Sequence, residues 1–303
     1  MAIYQSTREL IGNTPLLRLN HLGFPEEAKV YAKLELWNPA GSVKDRTGLF
    51  MVTAAEEKGT LKAGGTIIEA TAGNTGLGIA FAALNRGYQV IFVVPEKFSL
   101  EKQTLMRALG ARVINTPAEG GMLGAEAKAN ELRESIPGAI SLGQFHNMAN
   151  PQAHYETTGP EIWADLGDSL DYFVAGAGSG GTYSGTARFL KEKKPAITGI
   201  LADPLGSTMG GGEPGDYDIE GIGNDFIADT MDMSLVDRVI KVKDTEAFES
   251  CRQLATQEGI FAGPSSGAAL TAVKKLVAAG ATGTIVTVFP DRGDRYFSKG
   301  LYV

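Results

Sequence analysis

Thiol and imidazole groups are scarce in this 303-residue chain. A single cysteine, Cys251, excludes an internal disulfide framework, and three scattered histidines (His21, His146 and His154) have no spacing that suits zinc, so no metal site is expected. No apolar run approaches the roughly 18 residues that a membrane span needs. The opening Met1-Ala2-Ile3-Tyr4-Gln5 lacks the charged and apolar regions of a secretory signal. Basic blocks are missing too: 28 Lys and Arg against 35 Asp and Glu give a net charge of −7, which leaves no electrostatic footprint for nucleic acid. These absences point to a soluble, cytoplasmic protein. What is plentiful is apolar surface, 43% of residues, enough for a large core in one big domain or two modest ones. Glycine is also plentiful, at 39 residues without a Gly-X-Y period, and that excess belongs in tight turns and close backbone approaches.

Strand-type and helix-type patterns alternate along the chain. Strands are expected at 30–34, 66–70, 90–94, 112–114, 172–175, 198–202 and 284–289. The run Val90-Ile91-Phe92-Val93-Val94 is wholly apolar and β-branched or aromatic, the mark of a strand buried on both faces. Helical spacing covers 45–58, 74–84, 99–109, 119–134, 155–166, 183–191, 245–258 and 267–278, with Ser99 as a cap and Cys251 as a packing residue. Such alternation predicts an α/β fold of doubly wound parallel sheets covered by helices, in two units that divide near residue 150. The stretch 207–225 has no period and reads as a long functional loop.

Three glycine-rich turns follow strands and precede helices, where open α/β sheets bind ligands. Gly176-Ala177-Gly178-Ser179-Gly180-Gly181-Thr182 can aim backbone N–H groups and a helix N-terminus at a phosphate. Its glycines also match G-x-G-x-x-G, and Asp203 ends the next strand where a ribose-binding acid would sit, so a dinucleotide remains open at this point. Glu69-Ala70-Thr71-Ala72-Gly73-Asn74-Thr75-Gly76 suits a carboxylate at a helix N-terminus, or is a plain capped helix start. Gly263-Pro264-Ser265-Ser266-Gly267 carries the same two readings. In Asn38-Pro39-Ala40-Gly41-Ser42-Val43-Lys44-Asp45-Arg46, a lysine stands where the helix dipole opposes an ammonium. It is either a surface lysine or one whose lowered basicity serves imine chemistry.

Taken together, these motifs resemble one family: the fold-type II enzymes that use pyridoxal 5'-phosphate, in the cysteine synthase and cystathionine β-synthase branch. The likeness runs from Ile11-Gly12-Asn13-Thr14-Pro15-Leu16 to Pro290-Asp291-Arg292-Gly293-Asp294-Arg295-Tyr296 and turns the glycine loop from a dinucleotide site into a phosphate cup. It implies that Lys44 holds the cofactor as an imine and acts as the catalytic base. Asn74 would bond the ring oxygen, Ser265 would face the pyridine nitrogen, and Gly178, Ser179, Gly180, Gly181 and Thr182 would cradle the phosphate. Thr71, Ala72, Gly73, Thr75 and Gln144 would bind the substrate carboxylate, and Gly221 would line the substrate side. It further implies a homodimer and a smaller mobile domain over 44–148. A larger domain, 1–43 plus 149–303, would carry the phosphate loop.

The implied reaction is β-replacement on O-acetyl-L-serine or L-serine through an aminoacrylate, with sulfide or a thiol such as homocysteine as acceptor. Dehydratase-type β-elimination on the same fold is the alternative. A neutral Ser265, unlike a carboxylate, leaves the ring a weaker electron sink and so couples proton removal to departure of a good β-leaving group. Ala72 departs from the serine that many cysteine synthases carry, at a net loss of about 1 kcal/mol for one hydrogen bond. Thr71–Asn74, Pro95-Glu96-Lys97-Phe98-Ser99 and Glu220-Gly221-Ile222-Gly223 look closer to bacterial enzymes that make cystathionine. The ending Asp291–Tyr296 looks closer to a second cysteine synthase isozyme. With the chain ending soon after its last strand, neither a haem-binding extension nor a regulatory module is expected.

Overall fold

The computed structural model describes residues 3–71, 73–96 and 98–302. Two sheets organise the chain. The smaller consists of β3 (Thr66–Ala70), β4 (Gln89–Pro95) and β5 (Arg112–Thr116), all parallel, in the order β3-β4-β5. Its strands alternate between two packed faces. Ile67, Phe92 and Val94 meet Met51 and Val52 of α1 (Lys44–Glu57) and Leu77 and Ala80 of α2 (Asn74–Ala83). On the other face, Ile68, Ile91 and Val93 meet Ala125 and Ala129 of α4 (Gly121–Ser135). The short α3 (Leu100–Ala108) is capped by Ser99, whose hydroxyl accepts the Lys102 N–H at 3.2 Å.

The larger sheet has the order β1-β2-β9-β6-β7-β8, built from β1 (Leu16–Arg18), β2 (Ala28–Leu34), β6 (Leu170–Gly176), β7 (Thr198–Pro204), β8 (Arg238–Val242) and β9 (Gly283–Phe289). All its pairs are parallel except β1 with β2, so the sheet is mixed at one edge. Neither β1 nor β8 stands out in the sequence, because each is short and only partly buried. Helices α8 (Asp244–Gln253) and α9 (Pro264–Ala278) cover one face. The other packs against α6 (Gly159–Leu166) and α7 (Gly181–Lys193). Helix α9 starts at Pro264, three residues before the periodicity signals it, because a proline at the first helical turn sacrifices no intrahelical N–H bond. Helix α5 (Ala149–Ala153) joins α6 through a π-helical turn, His154–Thr158. Cys251 is fully buried, and burial pushes its thiol up to about 12.

In the central strands the parallel direction puts every carboxyl end on one side. Beyond Phe289, Gly176 and Leu34 lie the segments that the sequence singles out. Register aligns them directly: Leu34 pairs with Phe289 across β2 and β9, and Val174 with Thr287 across β6 and β9.

Candidate active site

Lys44 opens α1, and its placement follows from local chemistry. The Ser42 hydroxyl accepts the Lys44 N–H at 3.2 Å, and the Asp45 carboxylate accepts the Ala40 N–H at 2.6 Å, which closes the Ala40–Asp45 turn. Val43 N–H donates to the Pro290 carbonyl at 2.7 Å and pins this turn to the end of β9. Lys44 is half-buried in the wall of a cavity shared with Gly178, Ser179, Gly180, Thr182 and Gly221. Loss of solvent lowers its amine to about 8, against an opposing pull from the Asp291 carboxylate.

Across that cavity, β6 runs into the glycine turn and then into α7. Gly180 has φ +85°, a conformation that glycine adopts without strain, and a Cβ there would lie 2.4 Å from that of Met231. The first N–H groups of α7 have no intrahelical acceptor, and the helix dipole places partial positive charge at the same spot. Its hydroxyls are held from behind. Ser179 Oγ accepts from Asn150 Nδ2 at 2.9 Å, while Thr182 Oγ1 and Thr47 Oγ1 lie 3.2 and 3.3 Å from His154 Nε2. Burial first, then the charge of Arg46, lowers the His154 imidazole to about 3, so it is a neutral spacer. Asn224 Nδ2 donates to the Gly178 carbonyl at 2.7 Å, and Thr230 donates to that of Ser179. The sequence gives none of these five a role: Thr47 and Asn224 stand just past the Asn38–Arg46 and Glu220–Gly223 motifs, and His154, Asn150 and Thr230 have no motif of their own.

The remaining sequence-predicted residues form a second group. Thr71 and Thr75 are buried, and Thr75 Oγ1 donates to Gln144 Oε1 at 2.6 Å. The loop that presents Gln144 is gathered by Glu69, whose Oε1 accepts from Ser141 Oγ at 2.9 Å, Gly143 N at 3.0 Å and Leu142 N. Burial raises the Glu69 carboxyl despite these donors. Gly73 N–H points back to Thr71 Oγ1 at 3.4 Å. Ala72 lies outside the described residues, as does Lys97 of the Pro95–Ser99 motif. Ser265 is buried at the first turn of α9, and a Cβ on Gly221 would stand 3.9 Å from its hydroxyl.

Asn74 is tied to the C-terminal segment. Its Nδ2 donates to Asp291 Oδ2 at 2.7 Å, and its Oδ1 accepts from Arg295 at 2.5 Å. The sequence marks Asp291–Tyr296 only as a point of likeness, and these side chains reach the site solely through the fold. Thr71, Gly73, Asn74, Thr75, Gln144 and Ser265 do not line the Lys44 cavity itself. Asp203, the acid of the dinucleotide reading, is already engaged: its Oδ2 accepts from Lys241 at 2.5 Å and from Gly210 N–H at 3.0 Å.

An amine of lowered basicity thus shares one cavity with a glycine-lined helix N-terminus, a donor set that fits an aldehyde bearing a phosphate. A family model described as "Pyridoxal-phosphate dependent enzyme" matches residues 7–291. The chain belongs to this family. Within it, the chain is 50% identical over 303 residues to the O-acetylserine dependent cystathionine β-synthase of Bacillus subtilis (strain 168), covering 100% of this chain and 99% of that protein. It is 47% identical over 306 residues to a cysteine synthase of Helicobacter pylori (strain ATCC 700392 / 26695), covering both in full. The crystal structure of an O-acetylserine dependent cystathionine β-synthase from Helicobacter pylori superposes with a TM-score of 0.95 at 47% identity and full coverage of both chains. The fold is therefore fold-type II, and the cofactor of the family is pyridoxal phosphate.

Proposed function

We propose that this protein replaces the β-substituent of O-acetyl-L-serine with sulfur, giving L-cystathionine from homocysteine or L-cysteine from sulfide. The observation that carries this reading is the Lys44 amine, lowered to about 8, in one cavity with Gly178, Ser179, Gly180 and Thr182. The names of the relatives support O-acetylserine as donor and cystathionine or cysteine as product.

Pyridoxal phosphate, when bound, draws electrons from the α-carbon of an attached amino acid and makes its α-proton acidic. The cup and the first N–H groups of α7 hold the phosphate, and Asn74 and Ser265 orient the ring. Thr71, Gly73, Thr75 and Gln144 grip the substrate carboxylate at the N-terminus of α2, where the helix dipole favours an anion. Lys44, released as a neutral amine, takes the α-proton as general base and later returns it. Acetate departs with the electron pair of its carbon–oxygen bond, and the acceptor, which enters as a thiolate or hydrosulfide after giving its proton to solvent, forms the new carbon–sulfur bond at the β-carbon. The neutral Ser265 hydroxyl discourages long-lived carbanions and so favours replacement over side reactions. The segment 44–148 closes over the substrate and excludes water. The protein works in the cytoplasm as a homodimer.

Product analysis tests this. Loaded protein given O-acetyl-L-serine with homocysteine or sulfide should release acetate together with cystathionine or cysteine. Release of pyruvate and ammonia alone, with either acceptor present, would replace this reading with β-elimination.

A further inference from the structure

Asp291 stands where three segments of the site meet. It forms a β-bridge with Ser42 just ahead of Lys44, its carbonyl accepts the Gly263 N–H at 2.9 Å just ahead of Ser265, and its Oδ2 accepts from Asn74 Nδ2. The side chain is 1% exposed, and Oδ2 also accepts from the Tyr296 hydroxyl at 2.6 Å. Arg295, itself buried, donates one guanidinium nitrogen to Asn74 Oδ1 and another to the Ala40 carbonyl. Asn74 therefore lies between an anion on its nitrogen side and a cation on its oxygen side.

That arrangement removes the usual ambiguity of an amide. Rotating the Asn74 amide by half a turn would set its oxygen against a carboxylate and its N–H groups against a guanidinium, so each ion would lose one hydrogen bond and face a like dipole in a buried place. With one N–H spent on Asp291 and the oxygen on Arg295, the side chain has a single N–H left to offer. It can only donate. We propose that Asp291 and Arg295 are positioning residues that lock Asn74 as a hydrogen-bond donor toward the cofactor's ring oxygen and thereby favour the anionic form of that oxygen. This rests on the reading above in which Asn74 faces the ring.

The test is a double-mutant cycle read on the absorption spectrum of the loaded protein and on its affinity for pyridoxal phosphate. Asn74→Ala should change the ratio of the near-ultraviolet and visible bands at fixed pH and weaken cofactor binding about tenfold, the scale of one hydrogen bond to a charged group. Asp291→Asn and Arg295→Gln should each move the band ratio the same way, Arg295→Lys should restore part of it, and none should add to the change in the Asn74→Ala background. If Asp291→Asn does not fold, the two Arg295 variants carry the same comparison. Band ratios equal to the parent in the Asp291 and Arg295 variants, or changes that add fully to that of Asn74→Ala, would overturn the positioning role and leave Asn74 at the ring. An unchanged spectrum in Asn74→Ala itself would overturn the contact between Asn74 and the ring, and the proposal with it.

Discussion

Gly48 and Gly78 touch backbone to backbone: a Cβ on Gly48 would fall 2.3 Å from the Gly78 carbonyl carbon, and one on Gly78 would fall 2.1 Å from the Lys44 carbonyl oxygen. Helices α1 and α2 cross at this point with no side chain between them. The contact seats α2 against the first turn of α1, which begins at Lys44.

Gly48→Ala or Gly78→Ala should push the two helices apart. Overpacking of this kind costs about 1–3 kcal/mol, and the displaced α2 should weaken substrate binding as well. Chemical denaturation and KM for O-acetyl-L-serine check both effects. Normal values for each would show that the crossing yields without harm.

The lowered basicity of Lys44 makes a pH prediction. An ordinary lysine at 10.5 is almost wholly protonated at pH 8, whereas Lys44 is about half neutral there. Recombination of apoprotein with pyridoxal phosphate should accelerate as pH rises through about 8, and Lys44→Ala should abolish the visible absorbance of the bound cofactor. Because the folded value lies below the unfolded one, this lysine opposes folding below pH 8, and the penalty fades as pH rises from about 8 to 10.5.

Arg46 follows Lys44 by two residues and anchors the same helix. It bonds Glu35 at 2.8 Å and Glu161 at 2.6 Å, and Glu35 also accepts from Thr14 at 2.6 Å. Burial alone would raise the Glu35 carboxyl, yet the charge and hydrogen bonds of Arg46 hold it down to about 2. Its stabilising contribution is therefore complete above pH 4.5 and is lost as pH falls toward 2. Arg46→Leu, which leaves a buried carboxylate unpaired, should cost about 3–5 kcal/mol at neutral pH. Melting temperature measured against pH for parent and variant tests the size and the sign.

Gly180→Ala should strain the backbone at φ +85° and drive a methyl group into Met231. Cofactor affinity, measured by equilibrium titration, is expected to fall about tenfold or more, with the helix content of the protein retained. Parent-like affinity would show that the cup tolerates a side chain.

Much of the architecture was legible because its signals are local. The apolar runs at 90–94 and 284–289 and the helix signals at 45–58 and 119–134 reflect burial patterns that a short window contains. The weak edge strands β1 and β8 escaped for the converse reason: few of their residues are buried, so no period marks them. The glycine turn between β6 and α7 was legible as well, since a turn at φ +85° favours glycine at position 180. The layer behind the cup was not. His154 reads as an isolated histidine, and only the π-helical turn that carries it brings its ring to Thr47 and Thr182.

By itself the sequence determined the class of the fold, the central strands with most of the helices, and the glycine-rich turns between them, because periodicity, turn residues and glycine conformation act over a few residues. Tertiary structure alone decided that Asp291 and Arg295, more than two hundred residues after Asn74, would hold its amide between opposite charges. It also decided that Lys44 would lose water until its amine falls to about 8. Desolvation and charge pairing depend on what the chain brings near, and distance along the sequence says nothing of distance in space.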